Sequence, residues 1–425
     1  MDYAYALLDK GYIPDTVLRP VIRQLCRQRL RDIDHGTSFA VYFSLGSLYP
    51  LPRHPPATPS STLFSLFSTM LFHTRSPRTI QCHLLISRHT SPATDSPPAG
   101  SLSANHAAKM DFIADLYNRP IAIEQTKANE QHYEVPTSFL QLCLGPRMKY
   151  SSCMFPTPTS KLTDAEDAIL SLYCTEAKLG RGLRGVGAQD QGVVGKEGEG
   201  LKILDLGCGW GSLGLFLAEH YPLAEITMLS NSKTQKVHID NTAAERGYKN
   251  ITVVTGDVNV YDFEEKEKFT HILSIEMFEH MKAYPTLFHK VSTWLQPRGL
   301  LFIHIFCHKS QPYHFEESSG WMAQTFFSGG TMPSLDLFTY FQHDLTLQRS
   351  WYLNGTHYAR TLEAWLVNQD ANKKEGLKIL KEALGDVEGE KSFYRFRVFF
   401  MACAEFFGLD AGETWGVGRY LFEKK

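Results

Sequence analysis

The sequence predicts an α/β protein built on a mostly parallel, doubly wound sheet, and three observations carry that expectation. Lys202-Ile203-Leu204-Asp205-Leu206 is a short apolar run of buried-strand type that passes straight into Gly207-Cys208-Gly209-Trp210-Gly211 and then into a helical pattern. Strand-like and helix-like runs alternate from residue 202 to residue 305, and such alternation implies right-handed crossovers between parallel strands. The chain has 425 residues, 43% apolar and 21% charged, enough for a large core and, by length, for two or three domains.

Residues 1–34 read as a small helical hairpin. Tyr3, Leu7 and Leu8, then Val17, Leu18, Val21, Ile22, Leu25 and Leu30, fall at helical spacing around a Gly-Tyr-Ile break and Pro14. This gives an N-terminal helical segment over 1–35. From 36 to 108 Ser, Thr, Pro, His and Leu dominate, Asp95 is the only acid, and no period persists. That composition predicts a low-complexity, disordered insert, either a linker or an artefact of gene prediction. Residues 109–425 read as one domain, interrupted by a glycine-rich surface loop at 180–200.

Within that domain the expected order is strand 202–206, helix 211–220, strand 225–229, helix 232–246, strand 251–255, strand 270–275, helix 283–295 and strand 299–305. An aromatic-rich insertion follows, with Tyr313, Phe315, Trp321, Phe326, Phe327, Phe338, Tyr340, Phe341, Trp351, Tyr352 and Tyr358, and is expected to roof an acceptor pocket. Tyr394 to Phe407 reads as a helix and Trp415 to Phe422 as a closing edge strand.

The net charge of −2 argues against a nucleic-acid surface driven by bulk charge, although Arg19 to Arg31 is a local basic patch. The eight cysteines are scattered without a C-x-x-C pair, so neither a zinc site nor a disulfide framework is expected and a reducing cytoplasm fits best. The N-terminus lacks the pattern of a signal peptide, and the longest apolar cluster, Leu63 to Phe72, is too short and serine-broken to cross a bilayer.

The chemistry starts at the glycine loop. Glycines at 207, 209 and 211 remove β-carbons that would keep the backbone from a ligand and permit positive φ at a strand-to-helix turn. Asp205 at the strand end is placed to accept hydrogen bonds from the loop or from a cationic ligand. The glycine spacing alone also occurs in dinucleotide-binding domains, so context decides. Ligands of such sheets sit at the carboxyl ends of the strands, where three further segments fall: Ser230-Asn231-Ser232-Lys233-Thr234-Gln235, Gly256-Asp257-Val258, and Ser274-Ile275-Glu276-Met277-Phe278-Glu279-His280-Met281. Polar side chains after the second strand suit ribose hydroxyls or an amino-acid moiety, and Asp257 suits an adenine amino group.

From Asn129 to the C-terminus the chain resembles the cyclopropane fatty acid synthase and coclaurine N-methyltransferase superfamily of S-adenosylmethionine-dependent enzymes. The matching stretches are 129–136, Lys149-Tyr150-Ser151-Ser152-Cys153, the glycine loop, Asn231 to Gln235, Glu276 to Met281, His304 to Lys309, 327–333 and His357-Tyr358-Ala359. The resemblance implies a Rossmann-like class I methyltransferase fold and cofactor contacts at Tyr150, Ser151, Gly207, Asn231, Gln235, Asp257 and Val258. The loop and strand-end positions Asp205, Cys208, Gly209, Gly211, Ser230 and Ile275 complete the expected cofactor site, and no metal is expected.

One block separates the two branches of that superfamily. The cyclopropane synthases resembled here carry a glycine at the position of Glu276 and a cysteine at that of Ser152, both serving a bicarbonate pocket, whereas the N-methyltransferases resemble this chain at Glu276, Glu279 and His280. Two other pocket positions, His304 and Tyr358, are present. Methyl transfer to an amine needs a neutral lone pair in line with the sulfonium methyl, so a carboxylate or imidazole that accepts the ammonium proton both orients and activates. Glu279 and His280 are the expected base, Glu276 adds negative field, and two carboxylates three apart on a helical turn share a face and raise one pKa. Cys208 and Cys307 are expected to pack, because direct transfer needs no covalent intermediate. The reading is N-methylation of a small amine by a cytoplasmic enzyme, with a homodimeric state allowed. The alternatives are modification of unsaturated lipid acyl chains and a catalytically silent cofactor-binding protein.

Overall fold

The computed structural model describes residues 6–34, 40–41, 100–119, 135–180, 198–264, 266–315 and 330–425. Most of the 36–108 segment and of the 180–200 loop lies outside them.

Seventeen of the described elements frame the site. They are α1 (Asp15–Asp34), α2 (Leu102–Leu116), α3 (Thr137–Cys143), α4 (Leu162–Glu176), β1 (Lys202–Leu206), α5 (Ser212–His220), β2 (Glu225–Ser230), α6 (Lys233–Arg246), β3 (Ile251–Thr255), β4 (Phe269–Ile275), α7 (Tyr284–Trp294), β5 (Leu295–His308) and β6 (Leu345–Leu353), followed by α8 (Thr356–Ala371), α9 (Lys373–Leu384), α10 (Asp386–Phe407) and β7 (Trp415–Lys424). The sheet order is β3-β2-β1-β4-β5-β7-β6. Strands β1 to β5 pair in parallel and β7 runs antiparallel to both of its neighbours. β1 is buried from Ile203 to Leu206 because helices cover both faces of a parallel sheet. The strand order reverses between β1 and β4, which opens a crevice at their carboxyl ends.

Three expectations are corrected. β7 is an interior strand, paired with β5 on one side and β6 on the other, with its first eight residues buried. The edge belongs to β6, whose Thr346, Gln348, Arg349 and Ser350 are exposed, as polar residues protecting a free edge should be. The insert was expected to run to residue 108, yet Leu102–Leu116 is one helix, begun by Ser101 whose Oγ accepts from the Ala104 amide at 3.2 Å. This helix buries Phe112, Ile113 and Leu116 in the cluster that contains Leu204, Phe278 and Phe288, so it belongs to the fold. Finally, Tyr394 to Phe407 is the second part of a longer helix that starts at Asp386.

The helical expectation for 1–34 holds for the described part, a helical turn at 6–8 followed by α1. α1 buries Leu18, Val21, Ile22, Leu25 and Cys26, a 3.6-period stripe laid against α10. Ion pairs flank the stripe: Arg19 to Glu363 and Glu405, Arg23 to Glu405, and Arg397 to Asp15 and Asp370. Pairs this exposed each contribute about 0–1 kcal/mol, so the apolar stripe holds the helix and the charges set its register. α8 starts at a position only glycine fits, since a β-carbon on Gly355 would lie 2.0 Å from the Trp415 carbonyl oxygen.

Phe112, 5% exposed, packs on His314 with ring centroids 4.5 Å apart. Phe112→Ala is expected to cost about 3–5 kcal/mol, read as a lower urea midpoint in equilibrium unfolding. A variant as stable as the parent would show that α2 is not part of the folded core.

Candidate active site

The glycine loop takes the shape its residues demand. Gly207, Gly209 and Gly211 all have positive φ, and a β-carbon on Gly207 would strike Met277 at 2.5 Å, whereas one on Gly209 would meet nothing within 4 Å. The backbone at Gly209 therefore faces open space. The Gly207 and Cys208 amides both donate to the Leu229 carbonyl at 3.0 Å, tying the loop to β2. Asp205 is buried and its Oδ2 accepts from the Gly214 amide at 3.0 Å, in the first turn of α5. Its role is to brace the helix start, and burial pushes its carboxyl up to about 7.

One cavity collects most of the expected residues. Tyr150, Ser151, Asp205, Gly207, Cys208, Gly209, Gln235, Ile275, Glu276, Glu279, His280 and Tyr358 line it. Four buried polar atoms on its wall have no hydrogen-bond partner: Trp210 Nε1, Ser212 Oγ, Gln235 Nε2 and Glu279 Oε2. An unpartnered buried polar group costs about 1–3 kcal/mol, so the wall is built for a ligand that supplies acceptors on the loop side. Gln235 shows how the aim is set. Ser230 Oγ donates to its Oε1 at 2.6 Å, which leaves the amide nitrogen as the free end. Ser212 opens α5, whose N-terminal amides favour a carboxylate. Acceptors such as ribose hydroxyls and an amino-acid carboxylate fit these donors.

Glu276 stands at the centre. Its backbone is left-handed, φ +48°, a conformation that favours glycine. Its carboxylate is held by three donors: the Ser152 amide at 3.0 Å and His304 Nε2 at 3.2 Å on Oε1, and the Tyr358 hydroxyl at 2.6 Å on Oε2. Its own amide donates to the His304 carbonyl at 2.8 Å. Tyr173 closes the chain with a hydroxyl 3.0 Å from His304 Nδ1. Burial holds His304 down to about 4, so the ring is neutral, donates from Nε2 and accepts from Tyr173. Burial alone would raise the Glu276 carboxyl; the hydrogen bond from His304, the charge of Lys149 and the Tyr358 hydroxyl outweigh it and lower it below the usual range.

Glu279 sits in the single turn Phe278–His280, 4% exposed. Burial, and then the negative charge of Glu276, raise its carboxyl well above the usual range. His280 is pushed down to about 4 by burial and stays neutral. The expectation that Glu276 and Glu279 share a helical face is corrected: Glu276 precedes the turn in left-handed backbone, and the tight turn, rather than a helix, brings both carboxylates to the cavity.

Six expected residues do not line this cavity. His304 stands behind Glu276 and acts through it. Gly211 packs on α6, since a β-carbon there would meet Ile239 at 2.7 Å. Ser230 is spent on Gln235. Asn231 lies beyond it, at the carboxyl end of β2. Asp257 Oδ1 accepts from the Asn259 amide at 2.8 Å, and Val258 beside it is buried. Cys208 and Cys307 are buried, and burial raises both thiols, as packing residues require.

The roof is also corrected. Of the aromatic insertion's described residues only Tyr358 reaches the cavity. Phe338 packs instead among Phe278, Tyr284, Phe288 and Tyr420, and the Tyr352 hydroxyl donates to the Gly412 carbonyl; Trp321, Phe326 and Phe327 lie outside the described residues. The aromatic wall comes from one face of α8 (Tyr358, Leu362, Trp365) and one of α10 (Phe399, Cys403, Phe407), joined by Phe306 and Trp210. Tyr150 stacks on Trp365 at 5.4 Å and Tyr358 on Phe407 at 4.3 Å. Spacings of four and three or four residues in each helix were the overlooked signal. Lys149, Trp210 and Ser212 were also missed, Trp210 inside the glycine motif and Ser212 directly after it.

A family model described as mycolic acid cyclopropane synthetase matches residues 194–415. The chain is 34% identical over 329 residues to (S)-coclaurine N-methyltransferase of Thalictrum flavum subsp. glaucum, covering 75% of this chain and 84% of that protein. It is 25% identical over 307 residues to cyclopropane-fatty-acyl-phospholipid synthase of Escherichia coli (strain K12), covering 72% of this chain and 70% of that one. A crystal structure of coclaurine N-methyltransferase bound to N-methylheliamine and SAH matches with a TM-score of 0.76 at 27% identity, covering 100% of this chain and 99% of the other. The chain therefore belongs to the superfamily of S-adenosylmethionine-dependent methyltransferases that unites the cyclopropane synthases with the coclaurine N-methyltransferases.

Proposed function

We propose that the chain transfers a methyl group to the nitrogen of a small amine, with Glu279 and His280 as the base. S-adenosylmethionine supplies an activated sulfonium methyl, and the glycine loop, Trp210, Ser212, Gln235, Tyr150 and Ser151 are the residues that would hold it. The observation that carries the amine reading is Glu276. Its carboxylate takes the Ser152, His304 and Tyr358 donors, and so fills with a side chain the place where the lipid branch has a glycine and a small-anion pocket.

The two carboxylates then divide the work. Glu276 stays ionised and places a negative field beside the acceptor, drawing in an ammonium. Glu279, with Oε2 unpartnered and its proton affinity raised, is suited to take the proton that frees the lone pair. Neutral His280 offers an acceptor nitrogen beside it. Trp365, Phe399 and Phe407 close the acceptor side with aromatic faces, each contributing about 0.5–2 kcal/mol to a cation over its ring. The lipid reading is supported by the presence of His304, Tyr358 and Glu279 together and by walls that suit an acyl chain. No helix among the described residues is long and apolar enough to cross a membrane.

Glu279→Gln and His280→Ala are each expected to lower kcat by about 10²–10⁴-fold on the true amine acceptor, and full turnover in both would remove the base assignment. The acid limb of kcat/KM against pH reports the ionisation of Glu279, whose raised carboxyl places that limb above the ordinary carboxylate range. Removing the negative charge beside it with Glu276→Gln lowers its proton affinity, so the limb moves to lower pH; a shift upward would contradict the assignment. Stripping bicarbonate from the assay is expected to leave turnover unchanged, and label from the methyl donor is expected in polar amines of a cell extract. Label in lipids, with loss of activity on bicarbonate removal, would establish the lipid reading instead.

A further inference from the structure

Lys149 is 2% exposed on the wall of the active-site cavity, a position at which a lysine needs a reason. Its ammonium donates to Ser151 Oγ and to the Ser152 carbonyl at 2.8 Å, and lies 5.4 Å from the centre of the Tyr173 ring. Two of its three N–H groups are thus spent on its own segment, and the Tyr173 ring offers its face to the charge. Among the described residues no carboxylate forms an ion pair with it. Its charge meets Glu276 and Glu166 through space.

The residues that Lys149 grips face both sides of the reaction. Tyr150 and Ser151 line the loop side of the cavity. The Ser152 amide donates to Glu276, and the lysine holds that residue from both sides, through the Ser151 hydroxyl before it and the Ser152 carbonyl after it. Farther along, the Cys153 amide donates to Thr361 Oγ1 and the Phe155 amide to His357 Nδ1, both at 3.0 Å. The segment is thereby stretched between Lys149 and α8. Behind it Glu166 accepts from the Arg147 amide at 3.0 Å.

Resting on the methyl-transfer reading above, we propose that Lys149 is a positioning residue: it aims Ser151 at the methyl donor and, through the Ser152 amide and its own positive charge, keeps the Glu276 carboxylate in place and ionised. The groups that face this charge are Glu166 and the Tyr173 ring from α4, Cys153 from its own segment, Glu276 from the turn after β4 and His304 from β5; Glu279 from the same turn and Tyr358 from α8 meet it through the charge of Glu276. Glu276 and Glu279 titrate as a pair. Removing a positive charge raises the pair's proton affinity, so the acid limb of activity moves to higher pH, opposite in direction to the effect of removing Glu276's own charge.

Two variants separate the parts. Lys149→Met removes charge and hydrogen bonds, whereas Lys149→Gln removes the charge and keeps a donor for the Ser152 carbonyl. In calorimetry with S-adenosylhomocysteine and no acceptor, Lys149→Met is expected to bind about tenfold more weakly than the parent, the scale of one lost hydrogen bond, and Lys149→Gln closer to the parent. Both are expected to shift the acid limb of kcat/KM upward. Folded variants that keep the parent's affinity and limb, with only a lower melting temperature, would overturn the proposal and leave Lys149 a structural residue. The binding arm needs no acceptor, so a failed amine reading would leave it standing, while unchanged binding and pH profile would sink the lysine's role even with amine methylation established.

Discussion

The Glu276 carboxylate is the interaction on which the active-site half of the molecule depends. A buried charge is tolerated only when it is fully hydrogen-bonded, and this one recruits its donors from three separate places: the 150–153 segment, β5 and α8. Satisfying it joins the sheet to the C-terminal helices. The left-handed backbone at Glu276 costs on the order of 1–3 kcal/mol, and it persists because four hydrogen bonds, counting the residue's own amide to His304, determine it. Strain at a reacting centre is maintained by the surroundings rather than by local preference.

From that anchor the electrostatics follow. Two buried carboxylates that converge on one cavity do not ionise with equal ease, and their surroundings separate them: three donors for Glu276, none for Oε2 of Glu279. Under the reading proposed above, one is the fixed negative field and the other the proton acceptor, the division by which acid–base roles are assigned in enzymes generally. The neutral His304, bonded on one side to Tyr173 and on the other to Glu276, carries the buried network without adding a charge.

The cavity has two chemically different walls because two different structural devices build it. The loop side comes from the carboxyl ends of the parallel strands and the start of α5, where backbone amides and short polar side chains are unavoidable. The far side comes from single faces of α8 and α10, whose opposite faces carry Glu363, Arg397 and Glu405 to α1, with Asp370 of α8 pairing Arg397. Each helix is thus sorted into a mostly apolar face toward the cavity and a charged face toward the N-terminal helix.

How much of this was legible depended on whether the signal was local. The glycine loop and the parallel core strands are set by periodicity and by glycine's freedom at positive φ, both properties of a few consecutive residues, so the sequence alone determined the loop-side wall of the cavity and the convergence of Glu276 and Glu279 on it. The interior place of β7, the membership of α2 in the core, the origin of the aromatic wall and the buried setting of Lys149 depend on contacts between residues far apart in the chain. A strand shows its pattern of buried faces but not its neighbours, and a run of aromatic residues does not show whether it packs in a core or lines a cavity. Only the tertiary structure decided those, because burial and pairing are fixed by which distant surfaces meet.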